Sequence, residues 1–461
     1  MSATALILAA GEGTRMKSAL PKVAHRILGV PIVTHVIEAA RGAGVGRVVV
    51  VTGHGAETVE SLLADSDVAF ARQRERLGTG HAVMSAVEAL GEIGGSLLVL
   101  AGDCPLLTSE TLAELLASRE SAGAACAMLT ARLSDPSGYG RVVRSDDGSI
   151  ARIVEDKDLA PDQSGIVEVN TSTYCFDAVA LFAHLHRLEA ANAQGEYYLT
   201  DIIALFRQEG LAVVGVEAAD PAEALGVNSR VQLADAARIL QRRINERHML
   251  GGVTMTDPEL VWVGPSVTIG SDTVIEPMTF LLGETSVGAN CVLGPDTRVT
   301  DSMVGSGCVL DSSVVVGARL ADRVHVGPRA YLRPGTSMAD GSKAGTSVEV
   351  KNARIGAGTK VPHLSYIGDA EIGAGVNIGA GTITCNYDGW HKHTTRIGDG
   401  AFVGSDTMLI APVEIGAGAV IGAGSAIARD VPADALAVER TEQRTIEGWA
   451  ARRRAEAEDE A

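Results

Sequence analysis

Two rhythms of apolar residues divide the chain. Over residues 4–230, short apolar runs alternate with helix-like patterns. The runs at 5–10, 47–52, 96–101, 125–130 and 213–217 predict strands, and 31–43, 79–90 and 109–118 predict helices. Near-continuous apolar strands between helices predict a mostly parallel sheet covered on both faces, as in Rossmann-like α/β domains. From 262 to 432 the period becomes six. Ile269, Ile275, Leu281, Val287, Leu293 and Val299 form one series, and Ile397, Val403, Leu409, Ile415, Ile421 and Ile427 another. Ile355, Val361 and Ile367 belong to a third, with Ile372 and Ile378 following after a five-residue step. Glycine often comes next, as at Gly270, Gly288, Gly356 and Gly398. Neither a helix nor a plain strand repeats every six residues. A short strand, a tight turn and one inward-pointing branched aliphatic per hexad predict a parallel β-helix whose coils rise ~4.8 Å each.

Between these regions, 231–250 contains no Gly or Pro. Leu233, Ala237, Leu240 and Ile244 share one helix face, while Arg238, Arg242, Arg243 and Glu246 fall on faces expected to be solvated. Gly251-Gly252 ends the pattern. The predicted organisation is a domain at 1–230, a linker helix at 231–251 and a second domain at 252–461, whose charged tail from 451 is expected to be disordered.

Composition sharpens the picture. Of 53 glycines, 30 lie in the last 211 residues, without the Pro/Ser bias of a linker. Only 3% of residues are aromatic, which suits a narrow β-helical interior. A net charge of −18 weighs against general binding of nucleic acid or anionic membrane. No apolar run reaches the ~18 residues of a membrane span. Residues 1–10 lack a basic flank and read as a buried strand rather than a signal peptide. Cys104, Cys126, Cys175, Cys291, Cys308 and Cys385 are scattered, without metal-binding spacing, as expected of reduced thiols in a cytoplasmic protein.

The first apolar run opens into Leu8-Ala9-Ala10-Gly11-Glu12-Gly13-Thr14-Arg15-Met16, with Pro21-Lys22 after it. Gly11 and Gly13 allow a turn whose N–H groups face phosphate oxygens, and Arg15 and Lys22 add positive charge. Met16 stands where a dinucleotide fingerprint needs its third Gly, and the GKS or GKT of a Walker loop is missing. Asp103 closes an apolar strand, where ligands bind in open α/β sheets. The combination AAGxGTRM…PK resembles the signature loop of the sugar-nucleotide pyrophosphorylases. Further stretches narrow the resemblance: Gln73 with Leu77-Gly78-Thr79-Gly80-His81, Gly138-Tyr139-Gly140-Arg141, Glu155-Asp156-Lys157, Asn170-Thr171 and Gly226-Val227-Asn228. They resemble the bacterial bifunctional N-acetylglucosamine-1-phosphate uridyltransferase / glucosamine-1-phosphate N-acetyltransferase family.

The resemblance implies an α/β nucleotidyltransferase domain followed by a left-handed parallel β-helix of hexapeptide repeats, three hexads to a coil. It implies that UTP and N-acetylglucosamine 1-phosphate contact Ala9, Ala10, Gly11, Lys22, Gln73, Gly78, Thr79, Gly102, Asp103, Gly140, Glu155, Asn170 and Asn228. Gln73 would meet uracil. Arg15 and Lys22 would neutralise phosphate charge, and Asp103 and Asn228 would hold Mg²⁺. Ser172 departs from the glycine usual after Asn-Thr in the family.

In the second half the hexad rhythm stops after Ile383 and resumes at Ile397. The polar, aromatic stretch 384–396 is a functional candidate on that ground. By the same resemblance, Arg333 and Lys351 would hold the phosphate of glucosamine 1-phosphate, and Tyr366 and Asn377 its sugar. His363 would be the general base, with Glu349 as its orienting partner. Ala380, Asn386, Tyr387, Ser405, Ala423 and Arg440 would contact acetyl-CoA. Thr346, Ser347 and Pro362 depart from the family pattern beside these residues. The family also implies a homotrimer. Two other readings compete: a monofunctional pyrophosphorylase whose β-helix serves oligomerisation or regulation, and a silent scaffold. The 11–22 loop, with Asp103 and Asn228, argues against the scaffold, and His363 with the 386 loop argues against the monofunctional enzyme.

Overall fold

The computed structural model describes residues 3–459, which divide into two compact units between Ile244 and Asn245. The division lies inside the helix Arg230–Leu250.

The sheet of the first unit contains β1 (Thr4–Leu8), β2 (Arg47–Thr52), β3 (Ala69–Arg72), β4 (Ser96–Ala101), β5 (Cys126–Arg132), β6 (Arg141–Arg144), β7 (Ile150–Val154), β8 (Glu168–Asp177) and β9 (Val213–Glu217). Its order is β9-β5-β8-β4-β1-β2-β3, with β6 joining β8 and β7 joining β6. Pairings along that order are parallel except those of β8, which runs antiparallel to β4 and β5. Alternation feeds both faces: Ala5 and Ile7 enter one buried cluster, and Leu6 the other. β1 lies between β2 and β4, with Leu8 opposite both Val51 and Ala101. The carboxyl ends of the three strands are thereby level.

The strand β8 is absent from the sequence expectation because its apolar pattern is broken. Asn170, Thr171 and Ser172 stand in its middle, where the register with β5 shifts, and Ser172 adopts φ +57°. The helix expected over 79–90 is two pieces, Thr79–Ser85 and Val87–Leu90. Arg243, expected on a solvated face, donates to Asp220 Oδ2 at 2.5 Å and to the Leu106 carbonyl at 2.7 Å.

The second unit is a three-sided parallel β-helix, with faces of eleven, ten and nine short strands. The residues of the six-fold series point inward: Ile275, Leu281, Leu293, Val403, Leu409 and Ile415 are fully buried. The break in rhythm is narrower than the sequence suggests. Ile383–Cys385 and Thr395–Ile397 remain strands in register with neighbouring coils, so the excursion spans 386–394. Thr384 occupies an inward position because its hydroxyl accepts from Gly368 N at 2.7 Å and donates to Gly368 O at 3.0 Å. Part of the tail expected to be disordered forms the helix Trp449–Asp459; Glu460 and Ala461 lie outside the described residues. No described helix is long and apolar enough to cross a membrane.

Glycine follows the inward residue where backbones of successive coils touch. A Cβ on Gly270 would lie 2.6 Å from Ala289 N and 2.7 Å from Gly288 C. Gly270→Ala is therefore expected to destabilise the β-helix by about 1–3 kcal/mol, read as a lower denaturation midpoint of the second unit with the first unit's transition unmoved.

Candidate functional site

The loop after β1 turns back at Gly13, whose φ is +65°. A Cβ there would sit 2.6 Å from Lys22 Cβ, so only glycine lets the Lys22 stem pack across the loop. Gly102 N donates to Leu8 O at 2.9 Å and brings Asp103 beside the loop. Val227 N donates to Asp103 O at 2.9 Å and brings in Asn228. These three backbone devices converge on one ammonium. Lys22 Nζ is ion-paired to Asp103 Oδ2 and donates to Asn228 Oδ1 at 2.9 Å, with the Lys22 and Asp103 side chains 13% and 17% exposed.

Two cavities meet at Asp103. A cleft of about 640 Å³ is lined by Ala9, Ala10, Gly11, Lys22, Gln73, Gly78, Thr79 and Asp103 among others. A smaller pocket of about 200 Å³ is lined by Arg15, Asp103, Gly140, Glu155, Asn170, Ser172 and Asn228 among others. Of the candidate residues in this unit, Gly102 alone is in neither lining; its place is the close backbone approach to Leu8. The sequence reading missed Arg76 and Glu12, which also line the large cleft and pair with each other. Their only sequence signal was charge beside the motif residues.

The electrostatics of the pocket are uneven. Burial raises the Glu155 carboxyl above the usual range, the negative charges of Asp201, Asp158 and Asp156 add to this, and the hydrogen bond from Thr200 (3.0 Å) only partly offsets it. Burial, reinforced by the Asp103 charge, pushes the Cys104 thiol far up, so it is no nucleophile. The oxygens of Asp103 and Asn228 already hold one cation, the Lys22 ammonium. A Cβ on Gly226 would stand 3.5 Å from Asn228 Nδ2 and 3.7 Å from Asp103 Oδ2, so its absence keeps that corner open. No cluster of three or more His, Cys, Asp or Glu able to hold a metal occurs among the described residues. One carboxylate and one amide oxygen suit an oxygen-loving ion that keeps waters and takes phosphate oxygens, as Mg²⁺ does.

In the second unit the candidates span several coils. His363 ends a strand of the first face, opposite Thr346, and Tyr366 starts the next face opposite Glu349, after a corner at Leu364 with φ +49°. The strand Lys360–His363 runs through Pro362 without a break. Glu349 does not orient His363, because the corner separates the two faces; it accepts from Arg333 Nη1 at 2.8 Å instead. Among the described residues nothing hydrogen-bonds the His363 imidazole, which is exposed.

Arg333 and Lys351 lie at the ends of successive strands of one face. Lys392, on the excursion, comes against Lys351, and repulsion from that ammonium holds Lys392 below the usual lysine range. The sequence reading gave Lys392 no role. Burial would raise the neighbouring Asp369, but hydrogen bonds from Asn352 (2.6 Å) and Asn386 (2.5 Å) and the two lysine charges bring it below the usual value. Asn377 lies one coil after Lys360. Ala380, Ser405 and Ala423 stack on successive coils: Asp406 N donates to Ala380 O at 2.7 Å, Gly424 N to Ser405 O at 2.8 Å, and Arg440 Nη1 to Ala423 O at 2.8 Å. Tyr387 is exposed on the excursion and pairs across it with Lys392.

Comparison with known proteins agrees with this division. A family model described as MobA-like NTP transferase domain matches residues 5–208, and one described as bacterial transferase hexapeptide (six repeats) matches 394–429. The fold class found is thus the expected nucleotidyltransferase α/β domain followed by a hexapeptide-repeat left-handed β-helix. The chain is 52% identical over 450 residues to "Bifunctional protein GlmU" of Heliobacterium modesticaldum, covering 98% of each. It is 49% identical over 452 residues to the protein of that name in Trichlorobacter lovleyi, again covering 98% of each. Against that of Carboxydothermus hydrogenoformans it is 51% identical over 438 residues, covering 95% of this chain and 98% of the relative.

The raised Glu155 carboxyl has a consequence for stability. A carboxyl whose folded value is raised contributes stability below its ordinary value of 4.5 and loses it as pH rises through the folded value. Glu155→Gln should therefore raise the melting midpoint of the first unit at neutral pH by about 2–4 °C and flatten its decline above pH 4.5. Calorimetry from pH 5 to 8 measures it, and an unchanged or lower midpoint at neutral pH contradicts it.

Proposed function

The chain belongs to the family of bifunctional GlmU proteins, and from that premise we propose how its two units divide the work. It is a bifunctional enzyme of UDP-N-acetylglucosamine synthesis. Acetyl transfer from acetyl-CoA to glucosamine 1-phosphate precedes uridylyl transfer from UTP to N-acetylglucosamine 1-phosphate, which releases pyrophosphate. The observation that carries this reading is the Lys22, Asp103 and Asn228 cluster at the junction of a large and a small cavity. Near full-length identity to bifunctional relatives favours it over a pyrophosphorylase with an inert β-helix.

In the first unit UTP occupies the large cleft. Its base lies near Gln73, Gly78 and Thr79, and its phosphates lie over the Ala9–Gly11 turn. The sugar phosphate takes the small pocket at Gly140, Glu155 and Asn170. A phosphate oxygen of the sugar attacks the α-phosphorus, and the bond to pyrophosphate breaks. Both reactants are anions, so alignment and charge carry the reaction. Lys22 exchanges Asp103 for phosphate oxygens, and with Arg15 it neutralises the charge of the α-phosphate and the leaving pyrophosphate. Mg²⁺ held by Asp103 and Asn228 would supply further neutralising charge.

In the second unit Arg333 and Lys351 take the phosphate of glucosamine 1-phosphate, and Tyr366 and Asn377 its sugar. His363 accepts a proton from the 2-ammonium group, so that the amine can attack the thioester. The ladder of Ala380, Ser405, Ala423 and Arg440, with Asn386 and Tyr387, holds acetyl-CoA. A homotrimer completes this surface. Leu364, Tyr387 and Trp390, 67%, 59% and 83% exposed, offer apolar side chains that a neighbouring chain would cover. Six free cysteines and the substrates fit the cytoplasm, and a net charge of −18 disfavours nucleic acid and anionic membrane as partners.

Assays of both half-reactions on purified variants test the assignment. Asp103→Asn should abolish most uridylyl transfer and leave acetyl transfer intact. His363→Ala should cut acetyl transfer by about 10²–10⁴ and leave uridylyl transfer from supplied N-acetylglucosamine 1-phosphate unchanged. Loss of both activities in either variant contradicts the division of labour. Light scattering should give a mass near three times the 47.6 kDa chain, and a mass near one chain at working concentration contradicts the trimer.

A further inference from the structure

Gln73 is 6% exposed at the wall of the large cleft, and its side-chain amide is fully committed on one side. Nε2 lies 3.1 Å from the Gly78 carbonyl oxygen and 3.1 Å from His81 Nδ1. A carbonyl oxygen can only accept, so the group facing it is the amide NH₂ and not the amide oxygen. That carbonyl is itself fixed, because it also accepts from Ala82 N at 3.1 Å in the first turn of the helix Thr79–Ser85. The turn before the helix is pinned from outside: Tyr197 N donates to Leu77 O at 2.7 Å, and Gly80 N to Tyr197 O at 2.8 Å. The second amide hydrogen then goes to Nδ1 of His81, which must be the bare nitrogen of the ring, with the ring proton on Nε2.

With both hydrogens taken, Oε1 is the one polar side-chain atom Gln73 has left for a ligand, and it can only accept. We propose that His81 is a positioning residue for nucleobase choice: by occupying the second amide hydrogen of Gln73, it holds the amide oxygen toward the base. An acceptor there matches the N3–H of uracil and faces the bare N3 of cytosine. His81 touches no substrate in this scheme and acts through Gln73. The inference rests on the proposed uridylyl transfer.

The test compares UTP with CTP as nucleotide donor to N-acetylglucosamine 1-phosphate, with Mg²⁺, in wild type and variants. His81→Leu, which removes the acceptor, should lower the UTP over CTP preference in kcat/KM by about tenfold, the worth of one hydrogen bond. The change should fall mainly on KM for UTP. His81→Asn, whose Oδ1 can take the place of Nδ1, should restore the preference, which a purely structural role would not do. Acetyl transfer serves as the control for an intact chain. If His81→Leu does not fold, His81→Phe keeps a ring, lacks the acceptor and carries the same expectation. An unchanged preference in either folded variant, with the wild type active on UTP, overturns this inference alone. A wild type that transfers no uridylyl group from UTP overturns the functional reading and this inference with it.

Discussion

In-register parallel pairing of short strands is the constraint on which both units depend. Parallel neighbours end at the same level, so the residues after each strand are collected at one edge. In the first unit this sets Leu8 level with Ala101, and the residues just beyond, the Ala9–Gly11 turn and Asp103, become neighbours although some ninety positions separate them. In the second unit the same pairing stacks equivalent positions coil upon coil. Arg333 and Lys351 succeed one another on one face, and Ala380, Ser405 and Ala423 succeed one another at a corner. Functional groups distant in sequence are therefore brought together by strand pairing, with the loop after β1 and the 386–394 excursion adding to it.

Gathering groups this way also gathers like charges, and the two units manage that differently. The first seats its cation between oxygens: Lys22 lies between Asp103 and Asn228, so the site is neutralised before any ligand arrives. The second leaves Lys351 and Lys392 against each other, with Asp369 and its two asparagine donors as the nearby counterweight. Such exposed like charges are individually weak in water. Their mutual repulsion is relieved most by a doubly charged anion between them, which sugar phosphate provides. On the proposed reading, the phosphate site of the second unit is an arrangement that is unfavourable without its anion.

Much of this was legible in the sequence, and the limits have physical causes. The six-residue period identified the β-helix because nearly every side of every coil turns an aliphatic side chain inward. The 11–22 loop was legible because the glycine at Gly13 and the lysine at Lys22 serve one close contact. What stayed hidden needed three dimensions. β8 was invisible because Asn170 and Ser172, polar and irregular, replace apolar residues where the strand lines a pocket. The pairing of Glu349 with Arg333 depends on which coil corner intervenes, which spacing does not reveal. Lys392 gained meaning only when the excursion folded back onto Lys351, and Thr384 could not be read as interior without seeing its backbone partners on Gly368.

The two sites also differ in how far one chain suffices. Around Lys22 and Asp103 both cavities are walled by residues of a single unit, and the key side chains are more than four-fifths covered. Such a site can hold its geometry through packing, as preorganised electrostatics requires. Around His363 the imidazole is exposed with no hydrogen-bond partner among the described residues, and the excursion leaves Tyr387 and Trp390 exposed. An imidazole without an orienting neighbour samples many ring positions, and an open surface excludes no water. A regular solenoid cannot bend inward to correct this without breaking the coil contacts that define it. On the proposed assignment, walling the second site would take another surface brought against it, whereas the first site is walled by residues of its own unit.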